Sequence, residues 1–193
     1  MPTADEGFIE LKERLRFRSK ISNRGDDPIY YLIFAPSEMI HVKSRLKKVW
    51  IRQLKEAEGW NPVILSLAEK VQSFFRDHKR RELWLEYERA HPGDVKAVTA
   101  SLAEALTKDN QVGRWIEEKL QEASVLSHGM VIVTDIEVLH PFLRIGAVEQ
   151  SLQGRCPVPL VILYPGKRSG SSSLKFLGVY PEDGNYRSIH IGG

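Results

Sequence analysis

The chain has 193 residues, of which 42% are hydrophobic and 27% charged, as in an ordinary folded globular protein and unlike a disordered, fibrous or membrane protein. Its 28 Lys and Arg residues against 25 Asp and Glu give a net charge of only +3, so overall charge does not indicate a nucleic-acid-binding protein. The single cysteine, Cys156, excludes an internal disulfide and a thiolate metal cluster. No apolar run approaches the ~20 residues that span a bilayer, and the first residues lack the basic and apolar regions of a secretory signal. We therefore expect a cytoplasmic protein.

The first third of the chain alternates between helical and strand patterns. Apolar residues at spacings of three and four predict an amphipathic helix over residues 5–20. A continuous apolar run over 29–34, after a segment rich in turn formers, predicts the first buried strand. Ser37 is a suitable cap for a second helix that ends at Gly59, and residues 62–65 form the second strand.

The middle of the chain is helical. Residues 66–89 form one long helix or two joined by a break, and two more helices follow over 94–106, with Asp94 as its cap, and over 111–123. A crossover between parallel strands needs only one helix. We therefore expect residues 66–123 to form a helical insertion that packs on the sheet.

The last third contains the most apolar strands. Residues 131–134 and 159–164 read as central strands, separated by a helix over 142–152 and followed by a flexible loop over 165–173. Two final strands, 174–180 and 186–191, are joined by a turn sequence that favours a hairpin. The predicted fold class is α/β: a mostly parallel sheet flanked by helices, with an inserted helical layer and a C-terminal β-hairpin at the sheet edge, in a single domain over 1–193.

No phosphate-binding loop is predicted. Gly166-Lys167 follows an apolar strand, but Val161 stands where the first glycine of such a loop belongs, and Arg168 stands where Ser or Thr would hold magnesium. A strand follows instead of a helix. Nucleotide binding by this route is therefore not supported.

Three groups with acid-base or metal-binding chemistry follow the central strand, namely Asp135, Glu137 and His140. A carboxylate pair with an imidazole is compatible with a metal-dependent hydrolase. The remaining histidines show no metal-ligand spacing, and no Ser or Cys lies in a nucleophile elbow. An ordinary polar loop at a strand end is the commoner explanation, and both interpretations stay open here.

The outer face of the second helix is basic. An accessory subunit that contacts DNA would use this face to neutralise phosphates. Few aromatic residues lie among the cations for base stacking, and a solvated helix face is the alternative explanation. The residues of this face are Lys43, Lys47, Lys48, Arg52 and Lys55.

Several short motifs occur in order through the last third of the chain. A strand ending in Thr134 is followed by Pro141-Phe142-Leu143-Arg144, then by Tyr164-Pro165-Gly166. Gly170, the segment 174–178 and Asn185-Tyr186-Arg187 complete the set. Together they resemble the BrxB family of bacteriophage-exclusion (BREX) defence systems. The sequence departs from the family pattern at Asp135 and Glu137, where glycines are expected, at His140, where Tyr is usual, and in a slightly long loop after Gly166.

The resemblance implies a non-catalytic adaptor or assembly subunit without a cofactor. It implies a PglZ-type protein as the direct partner, with a BrxC-type ATPase and a PglX-type DNA methyltransferase in the wider assembly. It supplies no catalytic residues. The family-motif or interface candidates are His140, Pro141, Phe142, Arg144, Tyr164, Pro165, Gly166, Asn185, Tyr186 and Arg187, with Arg144 as the first choice for a structural or interface role.

Overall fold

A computed structural model describes residues 2–20, 28–170, 173–182 and 188–193. The described strands form one six-stranded sheet, in which five strands are parallel in the order β2-β3-β4-β1-β6 and β5 pairs antiparallel with the end of β4. The mostly parallel α/β fold predicted from the sequence is confirmed. The strands are β1 (Ile29–Phe34), β2 (Asn61–Ser66), β3 (Gly129–Thr134), β4 (Leu160–Ser169), β5 (Ser173–Phe176) and β6 (Ile189–Gly192).

Helices cover both faces of the sheet, and within the described residues none is long and apolar enough to cross a membrane. Short 3-10 turns at Pro36–Glu38, Lys108–Asn110 and Ile136–Leu139 connect some of them. The helices are α1 (Ala4–Lys20), α2 (Met39–Arg45), α3 (Ile51–Glu56), α4 (Leu67–Asp77), α5 (Arg81–Ala90), α6 (Val95–Thr107), α7 (Gln111–Ser124) and α8 (Ile145–Leu152).

Alternate residues of each central strand enter different hydrophobic cores. Tyr31 and Ile33 face α4, α7 and α8, whereas Tyr30 and Leu32 face α1 and the α2–α3 segment. This alternation follows from the two-residue period of a strand, and it explains why β1, β3 and most of β4 are continuous apolar runs: they are covered on both faces.

The predicted helix over 37–59 is continuous but irregular. A π turn at Leu46–Trp50 separates α2 from α3, and the buried residues Val42, Leu46, Trp50 and Leu54 are each four apart. A π turn holds more residues than an α-helical turn, so it keeps such a spacing on one face. The predicted Ser37 cap is wrong: Ser37 lies inside a 3-10 turn, and the Glu38 carboxylate accepts instead from the backbone N–H groups of Ala35 (3.3 Å) and Ala4 (3.1 Å).

The helical layer between β2 and β3 contains four helices, α4 to α7. The segment predicted as one long helix or two over 66–89 breaks after Asp77 and forms two helices, α4 and α5. The predicted Asp94 cap of α6 is confirmed by a 3.1 Å hydrogen bond from the Ala97 N–H to the Asp94 carboxylate. Helices α4 and α7 pack against β3, whereas α5 has no buried residue. The ring of Trp84 connects α5 to this layer, because it meets Phe75 edge to face at 5.8 Å and its Nε1 donates to Ser101 Oγ at 2.9 Å.

Three predictions for the C-terminal part are wrong. The predicted loop over 165–173 continues β4 as far as Ser169 and forms a hairpin with β5, because Leu174 and Phe176 bury their side chains in the core. The last two strands do not form the predicted hairpin with each other, since β6 pairs parallel with the open side of β1 and buries Ile191. Helix α8 begins at Ile145 instead of residue 142, because Phe142 and Leu143 donate backbone hydrogen bonds to the Leu139 carbonyl in a preceding turn.

Candidate functional site at the carboxyl edge of the sheet

The carboxyl ends of the parallel strands meet at one edge of the sheet. After β1 the chain enters α2 on one face, and after β3 it leads to α8 on the other face, with β4 between the two strands. Open α/β sheets hold ligands in the crevice that such a reversal creates. Here β4 continues beyond this edge and lies against both the turn after β1 and the turn after β3.

Asp135 is the first residue after β3, and it organises the polar contacts of this edge. Its Oδ2 accepts hydrogen bonds from Ser66 Oγ at 2.7 Å and from Thr134 Oγ1 at 2.6 Å. Its Oδ1 lies 2.6 Å from Lys43 Nζ, which also donates to Glu137 Oε1 at 2.8 Å. A lysine from α2 is therefore held between the two carboxylates of the loop that follows β3.

The backbone explains why the resemblance predicts glycine at this position. Asp135 has a φ of +62°, in the left-handed region that favours glycine and that Asp and Asn tolerate better than other residues. The substitution of Asp for the expected glycine therefore keeps the backbone conformation while adding a carboxylate that Ser66, Thr134 and Lys43 bind.

The electrostatics of this cluster favour its charged state. Burial tends to raise the pKa of Asp135, but hydrogen bonds from Lys43, Thr134 and Ser66 outweigh burial and hold that pKa below its usual range. Burial likewise tends to lower the pKa of Lys43, and the two carboxylates outweigh it and raise that pKa. Asp135 is therefore ionised at neutral pH and accepts hydrogen bonds from all three of these side chains.

His140 belongs to a different cluster. Its ring stacks on Phe176, with centroids 4.3 Å apart, and lies 4.6 Å from the ring of Tyr180. Burial, with a smaller contribution from Arg144, lowers the pKa of His140. Among the residues that the structure describes, no group of three or more His, Cys, Asp or Glu side chains could hold a metal ion. The structure thus does not bring Asp135, Glu137 and His140 together into the site that a metal-dependent hydrolase would need.

The Tyr164-Pro165-Gly166 motif lies where β4 leaves the sheet and pairs with β5. The buried ring of Tyr164 packs edge-on against Tyr31 (5.6 Å) and Phe176 (5.4 Å). A Cβ atom at Gly166 would lie 2.5 Å from the Lys175 carbonyl oxygen and 2.6 Å from Tyr164 Cε1. Only glycine fits where the two strands approach this closely, and this explains the glycine of the motif in structural terms.

The Pro141-Phe142-Leu143-Arg144 motif forms the corner between the edge and α8, and it follows a cis peptide bond between His140 and Pro141. Pro141 is exposed, while Phe142 contacts the ring of Phe75 at 5.6 Å and so joins the corner to α4. Arg144 Nη1 donates to the Pro181 carbonyl at 3.3 Å. Three further candidates, Asn185, Tyr186 and Arg187, lie outside the described residues.

The predicted basic face is divided by ion pairs. Lys43 is bound by Asp135 and Glu137, and Arg52 lies 4.0 Å from Glu56. Lys47, Lys48 and Lys55 are exposed and make no ion pair with any described residue.

Two features of this edge are not predictable from local sequence patterns. The contact of Lys43 with Asp135 joins distant parts of the chain, and such pairs are not visible in local spacing. Tyr180 was predicted only as a strand residue, yet its ring completes the cluster of His140 and Phe176.

Comparison with known proteins agrees with the motif positions. The model of the BrxB family, described as BREX protein BrxB, matches residues 62–191, which is more than half of the chain. These residues include every motif of the sequence resemblance and exclude α1, β1 and the α2–α3 segment. Neither the curated proteins nor the solved structures gave a match. Because the family match spans most of the sheet and all of the helical layer, the chain belongs to the BrxB family and is a BREX defence protein.

Proposed function

We propose that the protein is a non-catalytic adaptor or assembly subunit of a BREX anti-phage defence complex and that it binds a PglZ-type protein directly. A BrxC-type ATPase and a PglX-type DNA methyltransferase belong to the wider assembly in this proposal. The observation that supports it most is that mutually bonded side chains occupy the carboxyl edge of the sheet. An α/β enzyme of this topology would hold its substrate there.

The groups that fill this edge have structural partners. Asp135 and Glu137 bind Lys43, and the ring of His140 stacks on Phe176 and contacts Tyr180. A general base needs access to a substrate proton, whereas these groups are engaged with neighbouring side chains. Their arrangement supports a rigid scaffold.

The surface beside the edge supports a role in protein binding. Val179 is 78% exposed, and the exposed residues Pro141 and Pro181 flank the half-buried side chains of Arg144 and Tyr180. Apolar residues beside Arg and Tyr are typical of the centre of a protein interface. We assign the first contact with the partner to this corner.

The test is co-purification of the protein with the PglZ-type protein of the same defence system. We expect the two to co-elute in size-exclusion chromatography at micromolar concentration, and we expect Val179→Arg to weaken the complex. Val125→Arg is the matched control, because Val125 is 83% exposed but lies at the end of α7, before β3 begins. Separate elution of the wild-type proteins would contradict the proposal.

A DNA-contacting accessory subunit is the second candidate. The observation in its favour is that Lys47, Lys48 and Lys55 are exposed without an ion pair in the described part of the chain. In this case the protein would bind duplex DNA, with an affinity that falls steeply as salt rises. Lys47→Glu with Lys48→Glu would abolish that binding, and absence of salt-sensitive binding by the wild type would dispose of this candidate.

A further inference from the structure

A groove lies between α4 and α7, on the outer side of the helices that cover one face of the sheet. Its volume is about 480 Å³, and it is open to solvent along its length. Phe74 and Trp115 form its apolar wall, and Lys70 and Lys79 lie along it. The groove belongs to the part of the chain that the BrxB family model matches.

The charge of the groove is positive. Asp77 also lines it, but both of its carboxylate oxygens accept hydrogen bonds from Arg76, at 2.8 and 2.9 Å. Burial, with contributions from Arg80 and Lys79, lowers the pKa of His78 and favours its neutral form. Lys70 is half-buried and Lys79 exposed, and neither has a carboxylate partner within the described ranges. A partner with negative charge therefore complements this surface.

The aromatic residues of the groove are arranged for an apolar side chain and not for a nucleic acid base. Phe74 and Trp115 meet edge to face, with centroids 5.6 Å apart and an angle of 72°, and Trp115 is only 6% exposed. The ring of His78 is stacked on Trp84 at 4.7 Å. Base stacking requires an open ring face, whereas a leucine-sized or aromatic side chain can insert against ring edges.

We infer that this groove binds an acidic segment of the protein partner, with one apolar side chain against Phe74 and Trp115 and carboxylates beside Lys70 and Lys79. The inference rests on the proposed adaptor function and assigns to it a second contact surface. Ring contacts connect the wall of the groove to the corner of the first contact, because Phe75 lies 5.4 Å from Phe74 and 5.6 Å from Phe142.

The test compares two charge reversals of equal size in the full chain. Lys70→Glu with Lys79→Glu changes the groove, and Lys47→Glu with Lys48→Glu changes the π turn between α2 and α3, on the opposite face of the sheet. We expect the groove variant to bind the PglZ-type protein about tenfold more weakly or worse, and the control to bind like the wild type. Lys70→Arg with Lys79→Arg should keep binding, which separates charge from folding, and thermal unfolding should show all three variants folded.

The outcomes separate this inference from the proposed function. If the wild type binds and the groove variant binds equally well, the inference is wrong and the adaptor function stands. If the wild type does not bind, both are wrong. A benzoylphenylalanine photo-crosslinker in place of Lys79 gives a direct readout: the crosslinked partner segment should contain Asp or Glu beside an apolar residue. A segment without carboxylates, or a crosslink to single-stranded DNA instead, would overturn the inference.

Discussion

Lys43 Nζ lies 2.6 Å from Asp135 Oδ1, and this contact joins the two faces of the sheet at its carboxyl edge. Lys43 belongs to α2, whose apolar residues pack on one face, whereas Asp135 begins the turn that buries Ile136 and Leu139 on the other face. The side chain of Asp135 is 14% exposed, so its partners determine whether the edge is stable.

Removing the charge of Asp135 tests the importance of this contact. We expect Asp135→Asn to lower the free energy of unfolding by about 1–3 kcal/mol, because Asn tolerates the same backbone conformation but cannot form charge-assisted bonds. Urea denaturation measures the change. Since the pKa of Asp135 is lowered in the fold, its stabilisation is present above the ordinary value of 3.8 and is lost as pH falls through the lower folded pKa. The difference between variant and wild type should therefore shrink in acid.

Asp109 provides the matched control. It also has a positive φ, of 56°, but it is exposed and its side chain forms no hydrogen bond or ion pair among the described residues. Asp109→Asn should change the free energy of unfolding by less than about 0.5 kcal/mol. Equal effects of the two substitutions would show that the carboxylate of Asp135 has no special role.

Gly166 is the second position where a small change should have a large effect. Gly166→Ala places a methyl group against the Lys175 carbonyl, and we expect a loss of about 2–3 kcal/mol, since backbone cannot move away as a flexible side chain can. Gly154→Ala is the control, because Gly154 has a φ of +73° but open space around it, and it should lose only about 1 kcal/mol. A Gly166 variant as stable as the Gly154 variant would mean that β4 and β5 can separate at no cost.

Much of the sheet could be predicted because its central strands are covered on both faces. Such strands are unbroken apolar runs, and residues 29–34, 131–134 and 159–164 show this pattern clearly. The extension of β4 could not be predicted in the same way. Gly166 and Ser169 are turn formers by local preference, and only the pairing with β5 makes them a strand.

The candidate site was predictable only in part. The family motifs named Arg144 and Gly166 as candidates, and the departure from the family pattern at Asp135 marked the loop that binds Lys43. The close packing at Gly166 became apparent only in the structure. The partner of Asp135 could not be predicted, because Lys43 looked like a member of a solvated basic face. A contact between distant segments depends on how the two faces of the sheet meet, which local spacing does not contain.

His190 should make stability depend on pH. Burial, with a contribution from Arg168, lowers its pKa from 6.5 to about 4, so the unfolded chain binds a proton in a range where the folded chain does not. Above pH 6.5 His190 is neutral in both states and leaves the free energy of unfolding unchanged. As pH falls from 6.5 towards about 4, protonation of the unfolded chain lowers that free energy by up to about 3 kcal/mol. Urea denaturation at a series of pH values should show this loss in the wild type and a smaller one in His190→Phe. Identical profiles would contradict the lowered pKa.

Helix α5 should open more readily than its neighbours. It has no buried residue, whereas α7 buries six, including Val112, Trp115 and Ile116. Because local stability follows the burial of apolar contacts, we expect amide hydrogens of α5 to exchange well before those of α7. Trp84→Phe should accelerate exchange in α5 further, since it removes the hydrogen bond to Ser101, and should leave α7 unchanged. Simultaneous exchange of α5 and α7 would show that the helical layer opens as one unit.

Substitution of Arg144 can distinguish a structural role of this residue from a role in the proposed interface. Its hydrogen bond to the Pro181 carbonyl is exposed, and its charge is unfavourable beside a protonated His140, so Arg144→Ala should cost less than about 1 kcal/mol of stability. We expect the same variant to weaken the complex with the PglZ-type protein about tenfold or more and to reduce protection against phage, because arginines beside apolar residues concentrate binding energy. Arg155→Ala is the control: Arg155 follows α8 and is 62% exposed in an ion pair with Glu117, away from the motif corner. A variant that unfolds would assign Arg144 a structural role, and a stable variant with full binding and full protection would remove this corner from the proposed interface.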